Sequence, residues 1–382
     1  MSTPPRIAIV GAGPGGLTLA RILYVHGIEA VVYERERHSL ERPQGGTLDL
    51  HAESGQFALA QARLGEGFQR IARYEDQGTR VLDRDGRLLF EDSDPGDGDR
   101  PEVDRTALRE LLLASLPDNA VRWGRGVQAV RPCADLTWDL CFENGDVANV
   151  DLVVGADGTW SRVRPLLSNY QPEYIGLTFI EFGIDDVDRL QPAIAALVGR
   201  GKVDVVGDGK LIVAQRNANS HVRGYGIFRV PVGWVEQRFD TSAPDTFRQG
   251  LLGEFAGWSE KVLDVIRASD DHIVTRPLYA LPVGHRWTHR RGLTLLGDAA
   301  HVMSPFGGEG VNAAMRDAAE LAARLVAGSD WDAAVEAFEI DMFERVVEAA
   351  RGSAEGAAIQ GSHDALALTL EHMRSVLGEA GA

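Results

Sequence analysis

The sequence predicts an α/β fold with a parallel sheet, a separate antiparallel sheet and a long C-terminal helix. Three glycine-bearing stretches predict the parallel sheet: GAGPGG at 11–16, GADG at 155–158 and GDAAHVMSPFGGEG at 297–310. Each follows a short apolar run of the kind that forms a strand buried on both faces. Between the second and third stretches, strand-like runs joined by turn residues indicate the antiparallel sheet.

The first glycine stretch has the order of strand, turn and helix that dinucleotide-binding folds require. The strand is IAIV at 7–10, and an apolar helical pattern runs over 17–27. Gly11 permits the tight turn, Gly13 lets the backbone approach a pyrophosphate, and Gly16 lets the helix pack closely on the strand. The helix N-terminus supplies N–H groups to the phosphate, so this unit is Rossmann-like.

An acidic residue ends the second predicted strand, AVVYERE. Glu34 lies 18 residues beyond Gly16, where an acid is expected to bind a ribose hydroxyl. Arg35 follows it directly and is also a candidate cofactor ligand. An acid here favours FAD or NAD over NADP, and the alternative interpretation is a solvated carboxylate at the strand end.

Turns and apolar stripes define the other elements. Turn pairs predict hairpins at 85–86, 144–145 and 208–209, and Asp104 is in position to cap a helix. A long helix is predicted from near Glu309, followed by a second apolar stripe in the tail. The buried side of the long helix is predicted to consist of Val311, Ala314, Met315, Ala318, Ala322 and Leu325.

The chain of 382 residues is long enough for about two or three domains. We expect a discontinuous cofactor-binding domain at 1–61, 91–165 and 274–310. A substrate-binding domain is expected at 62–90 and 166–273. The C-terminal helices are expected at 311–382.

Composition excludes several classes of function. A net charge of -17 argues against a general basic surface for nucleic acid or anionic lipid. No run approaches the roughly 20 apolar residues that cross a bilayer, and the first strand begins so early that we expect no leader and a cytoplasmic location. Cys133 and Cys141 lack metal-ligand spacing and are expected to be ordinary thiols, so no metal is predicted.

The three glycine stretches, with DLVVGADGTWSRVR and TLLGDAAHVMSPFGGEGVNAAMRDA, resemble the single-component FAD-dependent aromatic hydroxylases, the p-hydroxybenzoate hydroxylase-like family. Two further segments, QGGTLDLHAESGQ at 44–56 and EVDRTALRELLL at 102–113, look most like the tetracycline-inactivating flavin monooxygenases. The resemblance covers almost the whole chain and is weakest over 170–276.

The resemblance implies further cofactor residues. Asp49, Arg105 and Asp298 fall on the family's FAD contacts, and Asp157 is in a stretch that the family uses for both FAD and NADPH. Gly310 belongs to a flexible glycine loop that is expected to let the isoalloxazine ring of FAD approach the backbone. The alternative for Arg105 is a helix-surface arginine, for Asp157 a structural turn and for Asp298 a helix cap.

Arg42, His51 and His301 lie in or next to these motifs. Arg42 matches an arginine associated with NADPH, and its alternative is an unremarkable exposed arginine. His51 and His301 are expected to be hydrogen-bonded structural histidines.

The resemblance also implies the reaction. FAD is bound non-covalently, NADPH is the co-substrate, and a flavin C4a-hydroperoxide transfers one atom of O2 to an aromatic or polyketide-type small molecule. No acid, base or nucleophile of the protein is obligatory. The absence of a second strand-linked glycine fingerprint agrees with transient NADPH binding, and a monomer or weak homodimer is expected.

Substrate contacts are expected mainly from the antiparallel sheet. Where the tetracycline enzymes present a glutamine, an arginine and a histidine, this chain offers Glu181, Lys210 and Gly224. The expected substrate class is therefore the broader one of bulky polyketides and other aromatic natural products. The candidate substrate-binding residues are Phe179, Glu181, Lys210, Gln215, Tyr225, Phe228 and Pro305.

Other functions remain as alternatives. Baeyer–Villiger insertion and epoxidation use the same flavin chemistry. A flavin-dependent halogenase is disfavoured because the sequence has no Trp-x-Trp-x-x-Pro segment. The non-enzymatic alternative is an FAD-containing protein that sequesters a drug or metabolite, and ligand-stimulated NADPH oxidation distinguishes it from a monooxygenase.

Overall fold

The computed structural model describes residues 5–41, 45–75, 77–92, 99–270 and 272–376. The chain forms two compact units. Unit 1 contains Met1–Ala72, Val103–Glu173 and Tyr279–Ala354, and unit 2 contains Arg73–Glu102, Tyr174–Leu278 and Glu355–Ala382. These units differ from the predicted domains mainly at the C-terminus, where 311–354 belongs to unit 1 and does not form a part of its own.

The strands are β1 (Ile7–Val10), β2 (Ala30–Tyr33), β3 (Thr47–Asp49), β4 (Gly78–Asp83), β5 (Leu88–Asp92), β6 (Glu102–Asp104), β7 (Val121–Arg122), β8 (Val127–Pro132), β9 (Trp138–Phe142), β10 (Val147–Val150), β11 (Leu152–Gly155), β12 (Glu173–Ile184), β13 (Gly201–Gly207), β14 (Lys210–Arg216), β15 (Val222–Arg229), β16 (Val274–Ala280) and β17 (Leu293–Leu295).

The helices are α1 (Pro14–Val25), α2 (Phe57–Gln61), α3 (Gly65–Gln69), α4 (Arg105–Ala114), α5 (Val187–Leu190), α6 (Pro192–Val198), α7 (Trp234–Arg238), α8 (Pro244–Glu254), α9 (Glu260–Arg267), α10 (Asp298–His301), α11 (Glu309–Ala327), α12 (Trp331–Ile359) and α13 (Ala365–Val376). A π-helical turn spans Ala52–Gln56, and a short 3-10 turn spans Arg164–Leu166. Within the described residues, no helix combines the length and apolar character needed to cross a membrane.

Unit 1 is built on a five-stranded sheet in the order β17-β11-β1-β2-β7. Val10 of β1 is in register with Gly155 of β11 and with Tyr33 of β2, and Gly155 is in register with Leu295 of β17, all in parallel. The carboxyl ends of these strands therefore lie along one edge, where α/β sheets bind ligands. The predicted α/β fold is confirmed, and all three glycine stretches begin at this edge.

The helices of unit 1 supply the rest of its core. Leu17, Leu19 and Leu23 of α1 are fully buried, as are Met315 and Leu321 of α11. The predicted α4 also forms, but the side chain of Asp104 makes no capping hydrogen bond to it. β8, β9 and β10 make a separate antiparallel sheet, with the predicted turn between β9 and β10.

Unit 2 is built on a seven-stranded sheet in the order β16-β12-β15-β14-β13-β4-β5. The predicted hairpins β4–β5 and β13–β14 are both present. One pair, β13 and β4, is parallel. This departs from a purely antiparallel sheet because β4 comes from a distant chain segment, so no hairpin turn fixes its direction relative to β13.

One face of this seven-stranded sheet carries the core of unit 2. The side chains on it alternate along each strand, as the pleat requires. They pack with buried side chains of α8 and α9, such as Leu251 and Ile266. The core residues from the sheet are Leu82, Ile180, Phe182, Ile184, Val203, Val205, Ile212, Ala214, Val222 and Phe228.

Candidate cofactor and substrate sites

The glycine turn after β1 is shaped by close backbone contacts. Gly11 has a φ of +109°, and a side chain there would collide with the carbonyl of Ala156 after β11. A side chain at Gly16 would collide with the carbonyl of Gly11. Only glycine allows this approach of α1 to the turn, so these two positions are set by packing within unit 1.

Gly13 differs from both neighbours because it faces open space. It precedes α1 with a φ of -81°, which any residue can adopt, and no described atom lies within 4 Å of where its Cβ would be. The first N–H groups of α1 point from this end of the helix. The open space beside Gly13 is therefore the place where an anionic group can approach those N–H donors.

Glu34 is held at the same turn. Its Oε2 accepts a hydrogen bond from the backbone N–H of Ala12 at 2.7 Å, and its Oε1 accepts from the N–H of Glu36 at 3.0 Å. Glu34 is 8% exposed, whereas Arg35 beside it is exposed. A carboxylate with one bond per oxygen retains acceptor capacity for a hydroxyl.

A buried ion pair between Arg109 and Glu36, which the sequence analysis missed, stabilises this turn. Arg109 of α4 donates from Nη2 to Glu36 Oε2 at 2.8 Å, and both side chains are almost fully buried. The same guanidinium donates to the carbonyls of Ala12 at 3.3 Å and Ser39 at 3.1 Å. Arg109 is a charged residue between two leucines of the helix's buried stripe, which was the available sequence signal.

Asp157 follows β11 at the second glycine stretch. Its Oδ2 accepts from the backbone N–H of Arg162 at 2.7 Å. Its Oδ1 is buried and makes no hydrogen bond to any described residue. Burial raises the pKa of Asp157, although hydrogen bonds from Ser161 and Arg162 act in the opposite direction. An unsatisfied buried oxygen calls for a donor, such as a hydroxyl of a bound ligand.

Asp298 begins α10, directly after Gly297. Its side chain is accessible to solvent but closely surrounded by protein, and this burial raises the pKa of Asp298. The charges of His301, Arg105 and Arg164 lower it in part. Asp298 therefore lies after the end of β17, within range of these three side chains.

Asp49 lies against the N-terminus of α11. A side chain at Gly308 would come 2.6 Å from Asp49 Oδ1, and His51 Nε2 is 3.1 Å from Asp49 Oδ2. Asn312, which the sequence analysis missed, is fully buried and donates to the carbonyls of Asp49 at 2.9 Å and Gly308 at 3.1 Å. Its Oδ1 accepts from the N–H of His51 at 2.9 Å.

The remaining predicted residues of this site are distributed along the same elements. Arg105 starts α4, and its N–H donates to the carbonyl of Gly46 at 3.2 Å. Gly310 lies in the first turn of α11 with open space at its Cβ position among described atoms. Pro305 is exposed in the loop before α11, in unit 1 and not on the sheet of unit 2. Arg42 lies outside the described residues.

The donor and acceptor set of unit 1 fits a dinucleotide such as FAD. The open cradle at Gly13 suits a pyrophosphate, and the carboxylates of Glu34 and Asp298 suit sugar hydroxyls. Asp157 offers an orphaned acceptor, and the N-terminus of α11 offers partial positive charge. The fit therefore rests on several groups of different chemistry at one sheet edge.

In unit 2, four of the predicted substrate residues share one sheet face. Glu181 of β12 is in register with Tyr225 of β15, and Phe179 is two residues from Glu181. Gln215 of β14 pairs with Arg223, two residues from Tyr225. Residues two apart point to the same side, so these side chains lie opposite the core face. The rings of Phe179 and Tyr225 are 5.6 Å apart.

Lys210 and Phe228 lie on the other face of this sheet. Phe228 is 2% exposed and packs on Trp234 and Phe255 in the core. Lys210 pairs with Phe228 across the strands and lies near Glu254. Both line a separate cavity of about 430 Å³. The six sheet residues predicted for substrate binding therefore do not form one surface.

A charge cluster on the first face was only partly predicted. Glu181, 5% exposed, lies between Arg223 and Arg276 and forms ion pairs with both. Burial alone would raise the pKa of Glu181, but the two guanidinium groups outweigh it and lower the pKa. The Nε of Arg223 is buried and has no hydrogen-bond partner among the described residues. Two cations share one carboxylate, so the cluster has a net positive charge.

Comparison with known proteins identifies a family model and related chains. A family model described as FAD binding domain matches residues 5–82 and 264–338. Monooxygenase asqM of Emericella nidulans is 34% identical over 375 residues, covering 84% of this chain and 83% of that protein.

Solved structures give the same result. The crystal structure of Klebsiella pneumoniae HpxO complexed with FAD and uric acid has a TM-score of 0.81 at 25% identity, covering 96% of this chain and 92% of that one. Tetracycline destructase Tet(51) shares the fold, with a TM-score of 0.72 at 22% identity and coverage of 99% and 96%. The predicted resemblance and the predicted use of FAD are confirmed. The chain belongs to the family of FAD-dependent monooxygenases.

Proposed function

We propose that this monooxygenase uses NADPH to hydroxylate an aromatic or polyketide-type small molecule bound on the sheet face of unit 2 that lies opposite its core. The observation that carries the proposal is the combination on that face of the aromatic pair Phe179 and Tyr225 with the cationic cluster around Glu181. An aromatic side chain offers stacking area, and a guanidinium offers donors to a phenolate or enolate oxygen.

Within unit 1, each group has a proposed part in holding FAD. The turn Gly11–Gly16 and the N-terminus of α1 bind the pyrophosphate, and Glu34 with Arg35 binds the adenosine end. Asp298 and Arg105 bind the ribityl and phosphate groups. Asp49, Asp157 and Gly310 complete the contacts. When bound, FAD supplies the redox chemistry that activates O2.

The protein contributes binding and charge to this chemistry. The N-terminus of α11, reached through Gly307 and Gly308 with φ of +104° and +70°, carries partial positive charge. Next to a bound flavin, this charge would favour the reduced, anionic form. This role requires no lysine. Because bound FAD would supply the reactive group, we assign no obligatory acid, base or nucleophile to the chain.

NADPH is the proposed electron donor. Among its described residues, unit 1 has one glycine turn of the dinucleotide-binding type, which we assign to FAD. The resemblance associates Arg42 and the Asp157 stretch with NADPH. Transient binding without a second such turn is consistent with a co-substrate that arrives, reduces the flavin and leaves. We further propose a monomer or weak homodimer in solution.

The relatives support a small-molecule substrate of this class. The HpxO structure contains uric acid, a flat molecule rich in acidic N–H and carbonyl groups, and Tet(51) is a tetracycline destructase. Uric acid and tetracyclines both contain planar conjugated ring systems. We therefore expect a planar substrate with an ionisable oxygen or nitrogen.

The decisive experiment measures NADPH oxidation by the purified yellow protein with and without a panel of aromatic polyketides, tetracyclines and phenolic acids. A ligand that accelerates NADPH oxidation and gains one atom of ¹⁸O from ¹⁸O2 by mass spectrometry supports the proposal. NADH in place of NADPH tests the donor.

The same assay has outcomes that contradict the proposal. Ligand binding with no rise in NADPH oxidation indicates sequestration. Oxygen incorporation that expands a ring or forms an epoxide indicates one of the alternative oxygenations, and incorporation from H2¹⁸O alone excludes oxygen transfer from O2.

A further inference from the structure

Asp317, in the middle of α11, is a fully buried carboxylate to which the flavin site above gives no role. Its Oδ2 accepts from the backbone N–H of Gly297 at 2.9 Å and lies 2.7 Å from Nε2 of His301. Its Oδ1 accepts from Nη2 of Arg345 at 2.7 Å. One side chain therefore joins the turn that carries Asp298 to both α11 and α12.

The packing around this carboxylate places the same helix behind two glycine stretches. A side chain at Gly297, whose φ is +59°, would come 2.9 Å from the Cβ of Ala314, one turn before Asp317. A side chain at Gly15 would come 3.0 Å from the carbonyl of Ala314. The position of α11 thus sets how the Gly297 turn and the start of α1 lie relative to each other.

The charges of Asp317, Arg345 and His301 affect one another, and that of His301 acts on Asp298. Burial alone would raise the pKa of Asp317, but His301, Arg345 and the Gly297 N–H outweigh it and lower the pKa. Burial would lower the pKa of His301, and Asp317 raises it instead. A positive His301 favours the ionised form of Asp298, and that form is the better acceptor for hydroxyl groups.

We propose that Asp317 is a positioning residue for FAD: through its contacts with Gly297 and His301 it fixes the place of Asp298 for the ribityl end of the cofactor. The inference rests on the proposed contact between Asp298 and that end of FAD. It assigns no role to Asp317 at the adenosine end, which Gly11–Gly16 and Glu34 hold.

The test compares two ligands on the flavin-depleted, full-length chain. FAD occupies the whole site, whereas ADP occupies only the adenosine and pyrophosphate end. For Asp317→Asn we expect FAD affinity to fall about tenfold or more, as for loss of a charged hydrogen bond, with ADP affinity changed by less than about twofold. Fluorescence titration measures FAD, and competition measures ADP.

Glu320→Gln is the matched control. Glu320 lies on the same helix and pairs with Arg345 and Arg316, so this variant removes an equal charge but leaves the contacts to Gly297 and His301 intact. It should bind both ligands as the wild type does. If Asp317→Asn does not fold, His301→Gln takes its place in the test. This variant keeps Asp317 but removes the imidazole, and it should weaken FAD binding while leaving ADP binding nearly unchanged.

Three results overturn the inference. Equal weakening of FAD and ADP by Asp317→Asn indicates general structural damage. Unchanged FAD affinity in both variants removes the positioning role. An equal loss of FAD affinity in Glu320→Gln shows that charge on α11, and not the contacts of Asp317, is responsible. Failure of the wild type to bind FAD at all would instead contradict the proposed cofactor site.

Discussion

The two units use charged side chains in different ways. In unit 1, Glu34, Asp157 and Asp298 each come one to three residues after the end of a parallel strand, at the carboxyl edge of the sheet. In unit 2, Glu181 and Arg223 lie within strands, on one face of a sheet. The position of a strand-end carboxylate follows from local sequence order, whereas the neighbours of a residue within a strand depend on pairing and register.

This difference separates the proposed functions of the two units. Changes at the sheet edge of unit 1 should alter FAD binding, and changes on the sheet face of unit 2 should alter ligand binding while FAD stays bound. A variant of one unit that produces the other unit's effect would contradict this division.

The largest effect is expected from a pair of glycine substitutions in unit 1. Gly13→Val should fold, because its φ is ordinary and the space is open, but should lower FAD affinity by about 100-fold by obstructing the pyrophosphate, equivalent to about 3 kcal/mol of overpacking. Gly16→Val should instead lower the melting temperature, since its side chain would collide with Gly11. Calorimetry measures the melting temperature of each variant, and flavin absorbance measures the FAD it retains. Equal loss of FAD and equal melting temperatures in the two variants would contradict the different roles of Gly13 and Gly16.

Asp298→Ala should give largely colourless protein. Loss of a charged acceptor weakens a hydrogen bond by about 1.5–3 kcal/mol, so FAD affinity should fall about 10- to 100-fold. The ratio of absorbance at the flavin and protein bands after gel filtration measures retained FAD. Full retention would remove Asp298 from the proposed site.

Acidification should release FAD from the wild type at a higher pH than an ordinary aspartate predicts. Burial raises the pKa of Asp298, so this carboxyl becomes protonated, and loses acceptor capacity, as the pH falls through a value above about 3.9. Free-flavin fluorescence from about pH 7 to 4 follows the release. Asp298→Asn should lose the part of this pH dependence due to Asp298, and an identical profile in both proteins would assign the release to other groups.

Arg223→Gln tests unit 2. Removing one of the two cations next to Glu181 should weaken an anionic aromatic ligand about tenfold, the loss of a charged hydrogen bond, while a neutral analogue is affected less. The concentration of ligand that half-saturates NADPH oxidation measures the effect, and flavin content should equal that of the wild type. Flavin loss in this variant would contradict the division between the units.

The smallest effect is expected from Lys210→Met. Lys210 lies on the sheet face opposite Tyr225 and Gln215, so half-saturation by the ligand should change by less than about twofold. Gln215→Met on the same strand is the matched comparison and should change it more. The reverse order would place the substrate on the other face.

The sequence was sufficient for the fold class, the two hairpins of unit 2 and the family, because these depend on residues close together in the chain. The sequence analysis predicted less accurately which residues share the substrate-binding face of the unit 2 sheet. Lys210 and Gln215 are five apart on one strand, and Tyr225 and Phe228 are three apart, so alternation alone places each pair on opposite faces. The parallel pairing of β13 with β4 had no local signal.

What the sequence by itself determined is the order of strand, glycine turn and helix, since apolar runs and glycines dictate the backbone locally. Tertiary structure alone decided the partners of buried polar residues. Arg109 contacts a residue that is 73 positions away in the chain, Asn312 contacts one that is 263 positions away, and Asp317 contacts one that is 20 positions away. Burying a polar group is costly without a partner, so such groups must be satisfied, but which distant donor or acceptor satisfies each one is fixed only when the elements pack.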